Sequence, residues 1–196
     1  LESMGEHERQ RWFGCACCPG NVTRFMASVS NYVYATQQND IYVNLYIQGK
    51  AEMKTADNKV TLEQTTQYPW DGKIAIKVTP EKEGKFAIRL RIPSWAKSAP
   101  VASDLYAYTD AAKKYTLKVN GSDVKGMEGD GYETLVRTWK PGDVIELDLP
   151  MDVRRITAND KVEVDRGMVA LERGPIMFCL EGKDQPDSIV FNKFIP

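Results

Sequence analysis

The sequence predicts a mainly β protein, a β-sandwich preceded by one helix, and three observations carry that prediction. Apolar residues recur at steps of three and four before Asp40 and at steps of two after it. Many short apolar runs then follow, each too brief for a stable helix. Turn-forming residues separate them, and no internal repeat or low-complexity tract interrupts the pattern.

Over 21–36, Val22, Phe25, Met26, Val29, Tyr32 and Val33 form the stripe of a helix with one buried face. Pro19 suits its first turn, where a missing N–H costs nothing, and Cys18 then falls near the N-cap. After Asp40, Ile41, Val43, Leu45 and Ile47 alternate with Tyr42, Asn44 and Tyr46 as in a strand. Further strands are expected at 60–65, 74–78, 86–92, 115–119, 132–139, 144–149, 162–165, 168–171 and 176–180. Turn chemistry at Pro69-Trp70-Asp71-Gly72, Glu83-Gly84, Asn120-Gly121, Gly129-Asp130-Gly131, Pro141-Gly142 and Gly174-Pro175 reverses the chain between them. Segment 94–114 has no clear period and is read as a long loop or short helix.

A chain of 196 residues can bury one sizeable core. Its net charge of -1 gives no field that attracts polyanions, which argues against nucleic acid as a partner. No apolar run is long enough to span a membrane, and residues 1–10 are too polar for a signal peptide. Leu1 in place of an initiator Met, and an end at Pro196 straight after an apolar patch, predict a fragment of a longer protein.

Three of the four cysteines crowd into Cys15-Ala16-Cys17-Cys18, and the fourth, Cys179, lies far away. A disulfide framework spreads its cysteines so that each bridge closes a loop, so clustering favours chemistry or metal binding. Cys17 and Cys18 precede a helix whose free N–H groups favour the thiolate, the form that attacks or binds metal. Adjacent thiolates can share one Zn²⁺, yet no second ligand pair at zinc-finger spacing appears. His7 lies in the charged stretch Glu6-His7-Glu8-Arg9, a poor base for a Cys-His pair. On residue type alone, the cysteine pair reads equally well as buried structure or as function.

The run Trp12-Phe13-Gly14-Cys15-Ala16-Cys17-Cys18-Pro19-Gly20-Asn21, followed by Arg24, resembles the signature of glycoside hydrolase family 127. The resemblance continues through Ile41-Tyr42-Val43-Asn44-Leu45-Tyr46, Tyr68-Pro69-Trp70-Asp71-Gly72, Arg89-Leu90-Arg91-Ile92-Pro93-Ser94-Trp95, Trp139-Lys140-Pro141-Gly142-Asp143 and Arg173-Gly174-Pro175-Ile176. It implies an N-terminal (α/α)6 barrel followed by β-sandwich domains. Residues 1–40 are then the end of the catalytic barrel, and 41–196 a sandwich domain that need not be complete at its C-terminus.

The resemblance further implies a retaining hydrolase of β-L-arabinofuranosides or related plant glycans. Cys17 is its nucleophile. Zn²⁺ in the intact parent is held by Cys17 and Cys18 with a glutamate and another cysteine from an earlier barrel segment; Cys15 is unassigned. The acid/base glutamate also lies upstream, so the fragment alone is expected to be inactive and to bind zinc weakly or not at all. Its expected partners are the glycan substrate and the missing barrel, and its expected setting is a soluble one in the bacterial cytoplasm or periplasm.

Blander readings attach to other residues. Trp70, Trp95 and Trp139 are expected to fill the core rather than form a sugar-stacking platform. Trp12, five residues from Cys17, is placed at the sugar pocket of the intact enzyme. Arg24 is read as a surface ion pair and Cys179 as a small core residue. The helical stripe should face missing barrel helices, and cut loose from them it should re-dock, self-associate or disorder. The alternative function is a noncatalytic carbohydrate-binding or interaction module with structural cysteines.

Overall fold

Over 73–80 and 84–91 every second side chain is apolar, Ile74, Ile76 and Val78 in the one and Phe86, Ile88 and Leu90 in the other, and that alternation leaves each sheet with one face to bury. The computed structural model describes residues 17–97, 99–111 and 113–180. Helix α1 (Cys17–Ser28) runs into a 3₁₀ turn (Val29–Tyr32) and then into strands β1 (Tyr34–Gln37), β2 (Asp40–Val43), β3 (Gly49–Lys54), β4 (Lys59–Thr66) and β5 (Lys73–Pro80). There follow β6 (Gly84–Arg91), a 3₁₀ turn (Ser94–Ala96), β7 (Tyr106–Tyr108), β8 (Thr116–Val119), β9 (Ser122–Asp123) and β10 (Met127–Gly129). The chain continues with β11 (Tyr132–Trp139), β12 (Asp143–Asp148), β13 (Val153–Ala158), a 3₁₀ turn (Glu163–Asp165), β14 (Val169–Arg173) and β15 (Ile176–Phe178).

One sheet has the order β1-β2-β6-β11-β10 and a second the order β3-β4-β5-β12-β8-β9. Their inner faces interdigitate. Ile41, Val43, Ile88 and Leu90 from the first share one core with Leu62, Ile76, Val78, Ile145 and Leu147 from the second. Trp139 is fully buried, and its indole N–H donates to the Phe86 carbonyl at 3.1 Å, so the largest core side chain leaves no polar group unpaired. The hairpins β8–β9 and β10–β11 turn on Asn120-Gly121 and Asp130-Gly131. Both residues of each pair have positive φ, the geometry that matches strand twist.

A third sheet, β15-β14-β13-β7, adjoins the sandwich. Arg154 ties it on: its guanidinium lies 3.5 Å from the Tyr108 ring centroid and donates to the Trp95 carbonyl. Tyr108 donates in turn to the buried Glu172 carboxylate, and burial together with that carboxylate pushes the phenol's pKa up. Arg173 adds a bond to the Trp70 carbonyl at 3.1 Å.

Several expectations are corrected. The helix over 21–36 starts by Cys17 and ends at Ser28, because Tyr34 to Gln37 pair with β2 as strand β1. Ladder bonds to a neighbouring strand outweigh a helical spacing that accidentally continues there. Strands β3 and β13 were not expected, since GKAEMK and VRRITA mix charges into the apolar pattern. The expected strand at 162–165 is a 3₁₀ turn, and 94–114 contains strand β7. Trp95 and Trp139 are core residues as expected, but Trp70 is 68% exposed on the β4–β5 turn. Cys179 is exposed as well, just past β15.

Two predictions follow from this packing. Leu62→Ala should cost about 2–5 kcal/mol in urea unfolding, whereas Trp70→Ala should stay within about 0.5 kcal/mol; equal costs would contradict the assigned core. Asp110 accepts from the Arg155 side chain and backbone N–H, which hold its pKa down at about 2. A lowered carboxylate stabilises the fold above its unfolded pKa of about 3.9 and loses that stabilisation as pH falls toward the folded value. Asp110→Asn should therefore flatten the acid limb of the stability–pH curve below about pH 4, measured as urea midpoints; an unchanged limb would remove the role given to this pair.

Candidate functional site

Cys17 and Cys18 open α1, and both are exposed free thiols with their sulfurs 3.6 Å apart. Pro19 follows in the first turn, and its carbonyl accepts from Thr23 Oγ1 at 2.8 Å, one helical turn ahead. The Arg24 guanidinium donates to the side-chain oxygen of Asn21, so its contact is a hydrogen bond within the helix rather than the expected ion pair. Neither an acidic residue in the first turn nor a basic one in the last accompanies the helix.

No residue of α1 is buried. Val22, Phe25 and Met26 are each more than half exposed, while Val33, expected on the same stripe, is buried. Among the described residues the helix is attached through its C-terminal end, beyond which the Val33 carbonyl accepts the N–H groups of Asn44 and Leu45. His7, Trp12 and Cys15 lie outside the described residues. Among the described residues no three His, Cys, Asp or Glu side chains converge to hold a metal ion.

The end of the sandwich that receives α1 is lined with aromatic rings that had not been singled out as a group. Tyr46 packs edge-on against Tyr68 at 5.9 Å, and Tyr68 stacks on Trp95 at 6.5 Å. Tyr42 meets Tyr132 edge-on at 5.4 Å. Burial pushes the pKa values of Tyr46 and Tyr68 up, which keeps them neutral; the Tyr46 hydroxyl donates to the Arg91 carbonyl at 2.6 Å. Tyr132 donates to Asn44 Oδ1 at 2.7 Å, fixing the loop next to Val33. The expected alternation of Ile41, Val43, Leu45 and Ile47 against Tyr42, Asn44 and Tyr46 ends at Val43, beyond which Tyr46 is buried and Ile47 exposed. Only the pairing of distant strands assembles the rings.

Two family models match the chain: the β-L-arabinofuranosidase, GH127 middle domain at residues 40–151 and the glycoside hydrolase family 127 C-terminal domain at residues 153–194. A non-reducing end β-L-arabinofuranosidase of Bifidobacterium longum subsp. longum is 35% identical over 188 residues, which are 92% of this chain and 26% of that protein. A solved GH127 β-arabinofuranosidase is 47% identical with a TM-score of 0.82, over 88% of this chain and 27% of its own. A GH127 β-L-arabinofuranosidase from Geobacillus stearothermophilus T6 is 35% identical with a TM-score of 0.75, over 88% of this chain and 25% of its own. The chain spans about a quarter of the length of these relatives. By sequence match and by fold alike, it belongs to glycoside hydrolase family 127.

Proposed function

We propose that this chain is part of a retaining glycoside hydrolase that acts on β-L-arabinofuranosides or related plant glycans, with Cys17 as its nucleophile. The observation that carries the reading is a pair of adjacent, exposed thiols at the start of α1 in a member of this family. Residues 1–40 are on this proposal the end of a helical catalytic barrel, and 41–196 the sandwich that supports it.

In the first step the Cys17 thiolate forms a C–S bond at the anomeric carbon while the glycosidic C–O bond breaks. The departing oxygen takes a proton from a carboxylic acid supplied by the rest of the parent protein. In the second step the same group, now a carboxylate, deprotonates a water that displaces the sulfur and regenerates Cys17. Cys17 needs an open side for this attack, and its exposure supplies one.

Cys17 and Cys18 also suit a zinc ion in the parent. Two sulfurs bound at about 2.3 Å to one tetrahedral ion lie about 3.8 Å apart, close to the 3.6 Å found between these two. When bound, the ion would favour the thiolate form of both cysteines. Two ligands are half of a tetrahedral set, so zinc should be weak or absent in the isolated chain.

A second reading, a noncatalytic carbohydrate-binding module, has the exposed Trp70 in its favour. Alkylating the cysteines of the parent separates the two, because glycan binding by the sandwich would survive while turnover would not.

The isolated chain should release no arabinose from an aryl β-L-arabinofuranoside and carry well under one equivalent of zinc by elemental analysis. In the parent, Cys17→Ala should abolish turnover with the fold intact by circular dichroism. Wild-type rates with alanine there would end the nucleophile assignment.

A further inference from the structure

We propose that the open groove beside β11 binds an extended peptide strand carrying an acidic side chain. Strand β11 pairs with β6 from Tyr132 to Trp139, but β10 covers its other side only from Tyr132 to Thr134. Among the described residues no strand pairs with that outer side from Leu135 onward. The covering chain leaves β11 at Gly126, where an added Cβ would sit 2.5 Å from the Thr134 carbonyl oxygen. It has crossed there from the other sheet, to which it is tied by the Val124 N–H on the Leu117 carbonyl.

What remains is a groove of about 610 Å³ between the edges of the two sheets. An unpaired strand edge presents N–H and C=O groups in register for another strand, which pockets for alternate side chains then select. The apolar walls are Val119, Val124, Leu135 and Val136. The charges are Lys125 and Arg137, with no carboxylate among the lining residues. Arg137 lies 5.3 Å from the Trp139 ring centroid, and its Nε is buried without a hydrogen-bond partner.

These features choose the occupant. Four open edge residues, Leu135 to Thr138, match a short strand rather than a helix. On the inward face a strand side chain opposite Leu135 should be apolar, and one opposite Arg137 acidic, since a carboxylate accepts from a guanidinium in a charge-assisted pair. A second copy pairing edge to edge would bring two cationic clusters together. No aromatic ring lines the groove, so it lacks the flat face on which a sugar stacks.

The test titrates the isotope-labelled chain with the peptide acetyl-Thr-Val-Glu-Val-Thr-Val-amide. Saturable amide shifts confined to residues 124–127 and 135–138 are expected. Replacing the probe's Glu by Lys should weaken binding about tenfold, and a central proline, which cannot donate to the ladder, should abolish it. Arg137→Gln should weaken the Glu probe about tenfold and leave the Lys probe unchanged. The probe series keeps the test decisive should that variant fold poorly. No response at millimolar probe, equal binding of the Glu and Lys probes, or shifts on another edge would overturn the proposal. So would dimerisation through the same amides without probe, which would assign the groove to a second copy. A response to oligogalacturonate but not to the peptide would assign it to a glycan.

Discussion

Everything in this molecule depends on two sheets, each apolar on one face, having to cover one another. Neither β2-β6-β11 nor β4-β5-β12 can leave Ile41, Ile88, Leu90, Leu62, Ile76 or Ile145 in water, and each supplies the other's cover. That mutual burial sets the register of every long strand, because a slip of one residue would turn the apolar side chains outward. Among the described residues Gln64 Oε1, Arg137 Nε and Arg154 Nη1 are buried without a hydrogen-bond partner, and other polar groups drawn inside are paired. Gln64 donates to the Tyr34 hydroxyl and the Leu45 carbonyl, and Glu133 accepts from Tyr115 and from the Gly126 N–H.

The peripheral parts are held to this core by a few directional contacts rather than by apolar area. The third sheet depends on Arg154, whose buried charge is offset by the Tyr108 ring, the Trp95 carbonyl and the neighbouring Glu172 on β14. Among the described residues helix α1 is held through Val33 and the loop beginning at Asn44. The Cys17–Cys18 pair therefore sits on a helix with no buried residue. A helix of this kind gains its stability mainly from what it packs against rather than from its own propensity.

The family relationship fits this division of labour. The matched models begin at Asp40, the first residue of β2, and cover the sandwich from there together with the third sheet. The aromatic rings Tyr46, Tyr68 and Trp95 pack in a row against the sandwich core. Relatives about four times as long carry the same sandwich with far more chain around it.

Local pattern sufficed wherever one period or one turn decided the outcome. The bounds of β11 were legible from alternation alone, and Asn120-Gly121 and Asp130-Gly131 announced their hairpins because few residues accept positive φ. The cysteine pair was legible as a candidate because three cysteines in four positions serve no disulfide framework. Tertiary structure decided the rest. It made Tyr34 to Gln37 a strand, β13 a sheet centre and Trp70 a surface residue, since each depends on which distant segment lies alongside. The free edge of β11 and the unpartnered Arg137 Nε belong to the same class: a vacancy beside a strand is defined by where its neighbours stop, and no local spacing records that.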